Sequence, residues 1–558
     1  MMTIRQPGIH FVSFLLLPVF LLGSLPIQCF KPARQEVPTL VLGLDGAAWK
    51  FIDPLLDTGR LPHLKRLIDQ GVSGSLTTLV PTQSVIIWST ILTGCLPEKH
   101  GIKGWLSGAG DQLAITSSMR KKAALWDIAT ANGVKGLYVN WWTSWPVNPV
   151  SGVLVSNMIF HPNVPQKIFP ATMETKYQAF LNSQNDRVKL ALKKQKSASG
   201  AEVDQSPIFV KDEVLFQLTE KMILDDQHSL IALYVRGLDI TEHEHYHHFF
   251  PTEFSYTAAN IDRFGNWISD YYCLLDRKIG RLISMLPHPL NVIIVSDHGM
   301  EAIKPDPPPI HKFLINNLLS ELELLQIKDQ YELQWSKTVI FQYDYHIPGP
   351  DRRLRINVKG RDPFGIVSPQ QQKTLQSDII TRLRNLKVKQ KDQPHTVSPL
   401  FEEVLPDEDG EADIFCRLNE QITPQDILLL PERQEQIDKY LTHFLTHTSG
   451  QHDEAPAGIV IMSGPAFQKG KILQNCHVAD ILPTILHIMD MPVSQEMDGE
   501  VLQAGLSKSS AAKPVRTVTA YSGSTQLQVL TRPQKDLSLP PNVEREFRDD
   551  LRSLGYIQ

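Results

Sequence analysis

Acidic residues and histidines lie at the ends of segments that have the composition of buried strands. The segments TLVLGL, SLIALYV and NVIIV are each followed within a few residues by an aspartate, and GIVIMS is preceded by a histidine. Carboxylates and neutral imidazoles, without thiolates, suit a catalytic rather than a structural metal ion. The candidate metal ligands are Asp45, Asp239, His243, Asp297, His298 and His452.

Each of these residues, taken alone, has a simpler explanation. An Asp-Gly pair after a strand is usually a turn, and an isolated Asp-His pair is more often a hydrogen-bonded loop than a ligand set. The run TEHEHYHH (241–248) would then be a solvated loop with His245, His247 and His248 exposed, although these histidines could also line the mouth of a pocket. The recurrence at three strand ends favours the metal site.

The elements between these residues predict the fold class. Short apolar runs alternate with amphipathic segments such as 51–70, 257–286 and VADILPTILHIMD (478–490). This pattern is typical of an α/β fold with a doubly wound, mostly parallel sheet and helices on both faces. Because the carboxyl ends of parallel strands share one edge, where ligands bind, we expect the candidate ligands to meet there.

Two regions interrupt the alternation. Residues 161–210 include the polar run KKQKSASGAEVDQSP, which predicts an exposed loop or cap segment. Residues 303–450 contain proline- and glycine-rich segments and predict a smaller α+β insertion. We therefore expect a catalytic core formed by 38–302 and 451–500, an inserted subdomain at 303–450, and a C-terminal extension at 501–558.

The N-terminus has the pattern of a secretion signal. Arg5 precedes an apolar run from Phe11 to Leu22, and no residue from Gln6 to Phe30 is charged. Residues 1–29 are expected to be a signal peptide, a lipoprotein signal with lipid on Cys29, or an uncleaved membrane anchor. In each case the remainder of the chain would lie outside the cytoplasm.

Composition excludes several classes of protein. The net charge of -5 provides no basic face, so we expect no nucleic-acid-binding surface. Five cysteines in 558 residues are too few for a disulfide scaffold.

Five motifs occur in an order that resembles a known family. They are LGLDGAAW, PTQSVIIWSTILTGCLPEKHGI, RGLDITEHEHYH, VSDHGM and SGQHDEAPAGIVIMSGP. In this order they are similar to the motifs of the alkaline phosphatase superfamily, and in particular of its type I phosphodiesterase/nucleotide pyrophosphatase branch. The resemblance extends from about residue 38 to residue 500, and LRSLGYI at the C-terminus also resembles the ends of such bacterial proteins.

The resemblance implies two divalent metal ions, zinc with manganese as the alternative. Two metals about 3.5–4 Å apart can stabilise both the attacking and the leaving oxygen of a phosphoryl displacement. The first would be held by Asp239, His243 and His452. The second would be held by Asp45, Asp297 and His298, together with the nucleophile oxygen.

The family's nucleophile lies nine residues before the threonine of a Thr-Gly pair, which here is Thr93, so the resemblance assigns this role to Ser84. Thr82 falls two positions early and is expected to be structural. The same position excludes a sulfatase, because the Cys/Ser-x-Pro-x-Arg pentad is absent there and CLPEK at Cys95 comes too late. Cys95 and His100 are expected to shape the following turn.

The sequence constrains the class of substrate less than it constrains the type of reaction. No arginine lies near Ser84 in the sequence, and Ile87 stands where nucleotide pyrophosphatases have an asparagine, at a substrate-binding position. These features favour a diester over a monoester, because a monoesterase usually binds its dianionic phosphate with arginine. We expect a small-molecule or lipid phosphate ester, with Arg236 able to contact either substrate or a carboxylate.

Two alternatives remain open at this point. One is a phosphomonoesterase or phosphonate-ester hydrolase of the same superfamily. The other is a non-catalytic surface protein that uses this fold for binding, although such a protein has no need to keep Ser84 and six candidate ligands.

Overall fold

The computed structural model describes residues 37–107, 113–161, 164–183, 207–253, 266–303, 312–329, 332–344, 351–362, 365–391, 395–407, 412–419, 421–423, 425–430, 433–442, 449–521 and 539. The chain divides into Met1–Glu36 and Val37–Gln558, and the second unit is the one described below. The predicted signal segment with Cys29 lies outside the described residues, as does most of the polar run at 193–207.

A nine-stranded sheet forms the centre of the fold. Its strands in chain order are β1 (Thr39–Leu44), β2 (Gly71–Thr77), β3 (Gly136–Val139), β4 (Gly152–Val155), β5 (Ile168–Phe169), β6 (Leu230–Val235), β7 (Asn291–Val295), β8 (Gly458–Ser463) and β9 (Lys471–His477). Their spatial order is β9-β2-β8-β7-β1-β6-β3-β4-β5. Five of the eight pairings are parallel, which confirms the predicted mostly parallel sheet.

Strand β8 is antiparallel to both of its neighbours, β7 and β2. Its amino end therefore lies at the edge of the sheet where β1, β6 and β7 have their carboxyl ends. As a result, residues that precede β8 in the chain can meet residues that follow the parallel strands.

Helices cover both faces of the sheet, as the sequence predicted. They are α1 (Trp49–Asp57), α2 (Pro62–Asp69), α3 (Ser84–Thr93), α4 (Leu125–Ala131), α5 (Pro207–Asp225), α6 (Gly237–Phe249), α7 (Trp267–Met285) and α8 (Ile481–Ile488). Successive strand residues point to opposite faces, so Leu40 and Leu42 of β1 pack in one hydrophobic cluster and Val41 in the other. Helices α3, α4 and α8 cover the Val41 face, and the others cover the opposite face.

The segment 51–70 forms two helices where its periodicity predicted one. Gly59 between them has φ of +71°, a conformation that favours glycine, and Pro62 begins α2, where its missing N–H is not needed. The first turn of α2 is then capped by Asp276 of α7, which accepts from the Leu64 amide at 2.7 Å. Helix α7 begins at Trp267, and the predicted start near residue 257 lies outside the described residues.

The region predicted as an insertion carries its own hydrophobic cluster. One antiparallel sheet has the order Ile340–Asp344, Asp351–Ile356, Ile414–Leu418, Phe401–Pro406, and a second has the order Val397–Pro399, Lys387–Lys389, Ile427–Leu429, Gln434–Gln436. Helices Ile315–Glu321 and Pro369–Arg384 accompany them. Below, this part of the molecule is called the insertion; its limits at 303 and 450 stay a prediction.

The described part of the C-terminal extension returns to the central domain. Strand Thr517–Val518 pairs in parallel with Val493–Ser494, and the Tyr521 hydroxyl donates to the Pro492 carbonyl at 2.6 Å. Within the described ranges, no helix combines the length and apolar character needed to cross a membrane.

Candidate active site

All seven predicted site residues meet at one edge of the central sheet. Asp45 follows β1, Asp239 follows β6 within the first turn of α6, and the Asp297–His298 pair follows β7. His452 precedes the antiparallel β8, so it reaches the same edge from the opposite chain direction. Ser84 is the first residue of α3, which follows β2. All seven side chains are buried, with at most 6% of any residue exposed.

A glycine allows two of these strand ends to approach closely. Gly46 has φ of +77°, and a Cβ at this position would lie 2.9 Å from Cα of Asp239. The amide of Asp239 donates to the carbonyl of Asp45 at 3.1 Å, which fixes the two strand ends together. The Asp-Gly pair is therefore a turn, and it also positions two candidate ligands.

One candidate metal group consists of Asp239, His243 and His452. Their ligand atoms all lie within 4.8 Å of one another. Oδ1 of Asp239 is 3.3 Å from Nε2 of His243 and 3.8 Å from Nε2 of His452. Asp239 and His243 are four residues apart on α6, a spacing that places both side chains on one face of the helix.

The second candidate group consists of Asp45, Asp297 and His298, with the same 4.8 Å limit between ligand atoms. Nε2 of His298 lies 3.4 Å from Oδ1 of Asp45 and 3.3 Å from Oδ2 of Asp297. The Ser84 hydroxyl adjoins this group: its Oγ donates to Oδ1 of Asp45 at 3.3 Å and lies 3.5 Å from Nε2 of His298. The 4.0 Å distance from Nε2 of His298 to Oδ1 of Asp239 connects the two groups.

Backbone carbonyls orient two of the histidines. Nδ1 of His243 lies 2.8 Å from the Gly450 carbonyl, and Nδ1 of His298 lies 2.9 Å from the Gly299 carbonyl. A carbonyl only accepts, so in each ring Nδ1 carries a proton and Nε2 faces the carboxylates. Histidines that bind metals are typically held in this way.

Burial and mutual repulsion act on the carboxyl groups. Burial first, and then the neighbouring Asp239, raise the pKa of Asp45 to about 6. Burial, Asp45 and Asp239 raise the pKa of Asp297 well above its ordinary value. Burial also raises the pKa of Asp239, but His243, His452 and His298 outweigh it and hold this pKa below its ordinary value. Three buried carboxylates so close together cannot all be ionised without added positive charge.

The residues present fit divalent cations. In the described part of the chain, no lysine or arginine nitrogen lies within 4 Å of the carboxylates of Asp45, Asp239 or Asp297; only histidines do. Oδ2 of Asp297 is buried and meets no donor at hydrogen-bonding geometry among the described residues. Burial and the neighbouring histidines lower the pKa of His452, which keeps its ring neutral, as a ligand must be.

Two aromatic residues that the sequence did not single out also hold the site. The Tyr234 hydroxyl donates to Oδ2 of Asp45, and the indole N–H of Trp88 lies 3.3 Å from the same oxygen. The other oxygen of Asp45, Oδ1, faces the Ser84 hydroxyl and Nε2 of His298. Tyr234 ends an apolar strand and Trp88 lies in an apolar helix, so their composition indicates core packing and gives no signal of this role.

Thr82, Cys95 and His100, which were predicted to be structural, have the following surroundings. The Thr82 hydroxyl donates to the Leu79 carbonyl at 3.1 Å, and burial raises the pKa of the Cys95 thiol to about 11. His100 is fully buried, with Nε2 3.0 Å from the Thr90 hydroxyl and Nδ1 accepting from the Ile102 amide at 3.1 Å. Both nitrogens therefore have local partners.

Two expectations need revision. Ile87 is fully buried in the hydrophobic cluster, and this burial does not support its predicted contact with substrate. The run at 241–248 is wrong as a solvated loop, since it is the helix α6. His248 is 8% exposed and His245 and His247 are partly buried, because α6 packs against α7 and against the strand Gly450–Gln451.

The chain belongs to the type I phosphodiesterase/nucleotide pyrophosphatase family, whose model matches residues 39–441. This confirms the family indicated by the five motifs. As a member of this family, the protein is a phosphoester hydrolase.

Two solved structures show distant similarity. They are phosphonoacetate hydrolase from Sinorhizobium meliloti 1021 in complex with phosphonoformate and the same enzyme in complex with phosphonoacetate. Each is 15% identical and covers 82% of this chain and 96% of its own, with TM-scores of 0.45 and 0.46. None of the curated proteins compared with the chain matches it.

Proposed function

We propose that this protein hydrolyses phosphodiesters through a serine nucleophile and a site for two divalent metal ions. The observation that carries the proposal is the convergence of Ser84 with two complete Asp/His groups at one buried edge of the sheet. Six candidate ligand residues and one hydroxyl come from five separate segments of the chain, which local packing alone does not require.

The assignment of ligands follows from the geometry of the two groups. Asp239, His243 and His452 would hold one ion, and Asp45, Asp297 and His298 would hold the other. When bound, two such cations supply positive charge that lowers the pKa of a nearby hydroxyl and neutralises the phosphoryl oxygens. Zinc fits a mixed nitrogen and oxygen ligand set, and manganese is the alternative.

Ser84 performs the covalent step in this proposal. Its Oγ attacks phosphorus and the alcohol of one ester leaves with the serine proton, which gives a covalent phosphodiester of Ser84 that still carries the second ester group. Water then cleaves the bond between Ser84 and phosphorus, releases a phosphomonoester and restores the serine hydroxyl. The position of Ser84 as the first residue of the ten-residue helix α3 favours this chemistry, because the amino end of a helix stabilises nearby negative charge. Tyr234 and Trp88 hold Asp45, so the carboxylate nearest to Ser84 keeps its orientation during the reaction.

A diester is favoured over a monoester because of the charges near Ser84. A phosphomonoester carries one more negative charge than a diester and is usually bound by arginine. The described side chains within reach of the Ser84 oxygen are Asp45 and His298, and neither provides a fixed positive charge. Hydrolysis of monoesters or phosphonate esters is the alternative activity.

The test compares bis-p-nitrophenyl phosphate with p-nitrophenyl phosphate for the full chain loaded with zinc or manganese. We expect a higher kcat/KM for the diester, and a fall in kcat of about a thousandfold or more in Ser84→Ala with two metal ions per chain retained. Ser89→Ala is the matched control, because this buried hydroxyl on the same helix donates to the Val85 carbonyl at 2.7 Å.

Three other results would revise the proposal. Undiminished turnover in Ser84→Ala would exclude the serine nucleophile. A preference for the monoester would identify a phosphatase. A chain that binds no metal and hydrolyses neither ester would be a binding protein on this fold.

A further inference from the structure

A small pocket lies beside the site, along the same edge of the sheet. It opens over the residues that follow β3, β4 and β6, whereas the candidate metal groups lie over β1, β6, β7 and β8. The lining residues that matter below are Asn157, Trp142, Lys211, Asp212, Tyr234 and Arg236. Strand β6 thus contributes to both places.

Tyr234 connects the pocket to the edge of the sheet that carries Ser84 and the two candidate metal groups, which is called the catalytic edge below. Tyr234 is one of the residues that line the pocket, and its hydroxyl donates to Oδ2 of Asp45, a candidate ligand next to Ser84. Arg236 lies two residues further along the chain and immediately precedes α6, which carries Asp239. A substrate with its phosphorus at Ser84 would therefore have one ester group close to this pocket.

Contacts with neighbouring groups hold the walls of the pocket in place. The indole N–H of Trp142 donates to the Tyr234 hydroxyl at 2.7 Å, and the guanidinium of Arg236 lies 5.7 Å from the centre of the Trp142 ring. Asn140, with φ of +68°, donates from Nδ2 to the Tyr234 carbonyl at 3.1 Å. A non-glycine residue held in this conformation next to a pocket is a feature often found at binding sites.

The chemistry of the pocket suits an anion. Lys211 and Arg236 bring two positive charges, and Oδ1 of Asn157 accepts from the Ser144 hydroxyl at 3.3 Å, which leaves its amide Nδ2 as a donor. The acidic residue in the lining, Asp212, accepts from the Gly237 amide at 2.8 Å and from the Tyr271 hydroxyl, and it also interacts with the charge of Arg236.

We propose that this pocket is a subsite for an oxyanion, a carboxylate or a further phosphate, carried by one ester group of the substrate. Arg236 and Lys211 would bind the anion, and Asn157 would donate a hydrogen bond to it. This inference rests on the proposed phosphodiesterase activity and names the class of diester: one whose alcohol component bears a negative charge. It also assigns Arg236 a contact that the metal site does not use.

The test uses three diesters of p-nitrophenyl phosphate whose second group is 2-carboxyethyl, 2-phosphonooxyethyl or the neutral 2-carbamoylethyl. We expect the wild-type chain to prefer a charged ester over the neutral one by about 10- to 100-fold in kcat/KM, the effect of a charge-assisted hydrogen bond. The two charged esters distinguish a carboxylate from a phosphate subsite.

Variants then assign the preference to the pocket. Arg236→Gln and Lys211→Gln, on different elements, should each lower the ratio of charged to neutral ester at least about threefold, whereas Arg236→Lys should retain more of it. Arg66→Gln is the matched control, because Arg66 is exposed on α2, far along the chain from the pocket. Equal rates on charged and neutral esters in wild type, or an unchanged ratio in both glutamine variants, would overturn the subsite.

A binding measurement separates failure of the subsite from failure of the proposed activity. The affinity of metal-loaded Ser84→Ala for methyl 2-carboxyethyl phosphate and methyl 2-carbamoylethyl phosphate is measured by calorimetry, with and without Arg236→Gln. If no diester is hydrolysed by wild type, the proposed activity fails, and a tighter affinity for the charged ligand that depends on Arg236 still supports the subsite. Equal affinities for both ligands would contradict it.

Discussion

The catalytic edge and the insertion bury aspartates in opposite electrostatic surroundings. In the insertion, Asp413 is 5% exposed and accepts from both terminal nitrogens of Arg361, at 3.0 and 2.8 Å. Asp362 is equally buried and lies 2.7 Å from Nε of Arg355. At the catalytic edge, by contrast, histidines are the only basic groups among the described residues within 4 Å of the three carboxylates.

The pKa directions follow from this difference. Burial raises the pKa of Asp413, but Arg361 outweighs it and holds that pKa below its ordinary value. Burial and two neighbouring aspartates instead raise the pKa of Asp297. A buried charge is stable when the chain supplies its own counter-charge, and otherwise it requires a bound cation or remains protonated. The difference therefore separates aspartates that stabilise the fold from the aspartates that we propose as metal ligands.

The largest expected effect is that of Asp297→Asn. This change should lower kcat/KM about a thousandfold, because it removes a carboxylate from a site that stabilises charge by several kcal/mol. Without metal, the variant should unfold at the same temperature as the wild type or at a higher one, because it lacks the carboxylate that Asp45 and Asp239 repel. Added zinc should stabilise the wild type by about 3–4 kcal/mol at 100 to 1,000 times its Kd, and the variant much less.

Asp413→Asn in the insertion is the matched control for this experiment. It should lower the unfolding temperature equally with zinc and with chelator. If Asp297→Asn lowered the unfolding temperature of the metal-free protein as much as Asp413→Asn does, the distinction between the two regions would be wrong.

A second, smaller effect is expected from Arg361→Met. This change leaves the buried Asp413 without its guanidinium partner, whereas Asp362, which is 3.1 Å from Arg361, keeps its pair with Arg355. We expect a loss of about 3 kcal/mol in the free energy of unfolding, measured by urea denaturation. The loss should not depend on zinc. Arg417→Met is the control, because its pair with Asp351 is more exposed and its removal should cost far less. Similar losses in both variants would contradict this interpretation.

The smallest effect concerns His100, a buried basic group that the core keeps neutral. Burial lowers its pKa to about 4 from an ordinary value of 6.5, so the unfolded chain binds a proton more readily than the folded one between these values. The contribution of neutral His100 to the free energy of unfolding is therefore complete above pH 6.5 and is lost as the pH falls towards 4. At pH 5 the loss is about 2 kcal/mol.

This contribution can be isolated by comparing His100→Gln with the wild type at pH 7 and pH 5, both with chelator present. The variant should lose less stability on acidification than the wild type, by about 2 kcal/mol. If both proteins lost the same stability between pH 7 and pH 5, His100 would be protonated at pH 5 in the folded protein. Its two hydrogen bonds would then not keep it neutral.

Much of the catalytic edge could be predicted because it depends on strand ends. The apolar strands before Asp45, Asp239 and Asp297 fix where each chain segment emerges, and parallel strands emerge at one edge. His452 was predicted from its motif. It reaches this edge because β8 is antiparallel, and that can be known only from the order of the strands in the sheet. No local pattern states that order.

Other features could not be predicted because tertiary contacts decide them. The histidines of α6 are charged and polar in sequence, yet the helix buries them against α7 and the strand Gly450–Gln451. Tyr234 and Trp88 appear as core residues in sequence, and only the structure shows that their polar atoms meet Asp45. The break between α1 and α2 was missed because hydrophobic spacing continues across Gly59.

The most direct test of the central claim is the location of bound metal. Crystals of the zinc-loaded protein, measured at the zinc absorption edge, should show two anomalous peaks about 3.5–4 Å apart. One peak should lie between Asp239, His243 and His452, and the other between Asp45, Asp297 and His298. Absence of both peaks, or zinc bound only elsewhere, would contradict the assignment of these aspartates and histidines as the metal site.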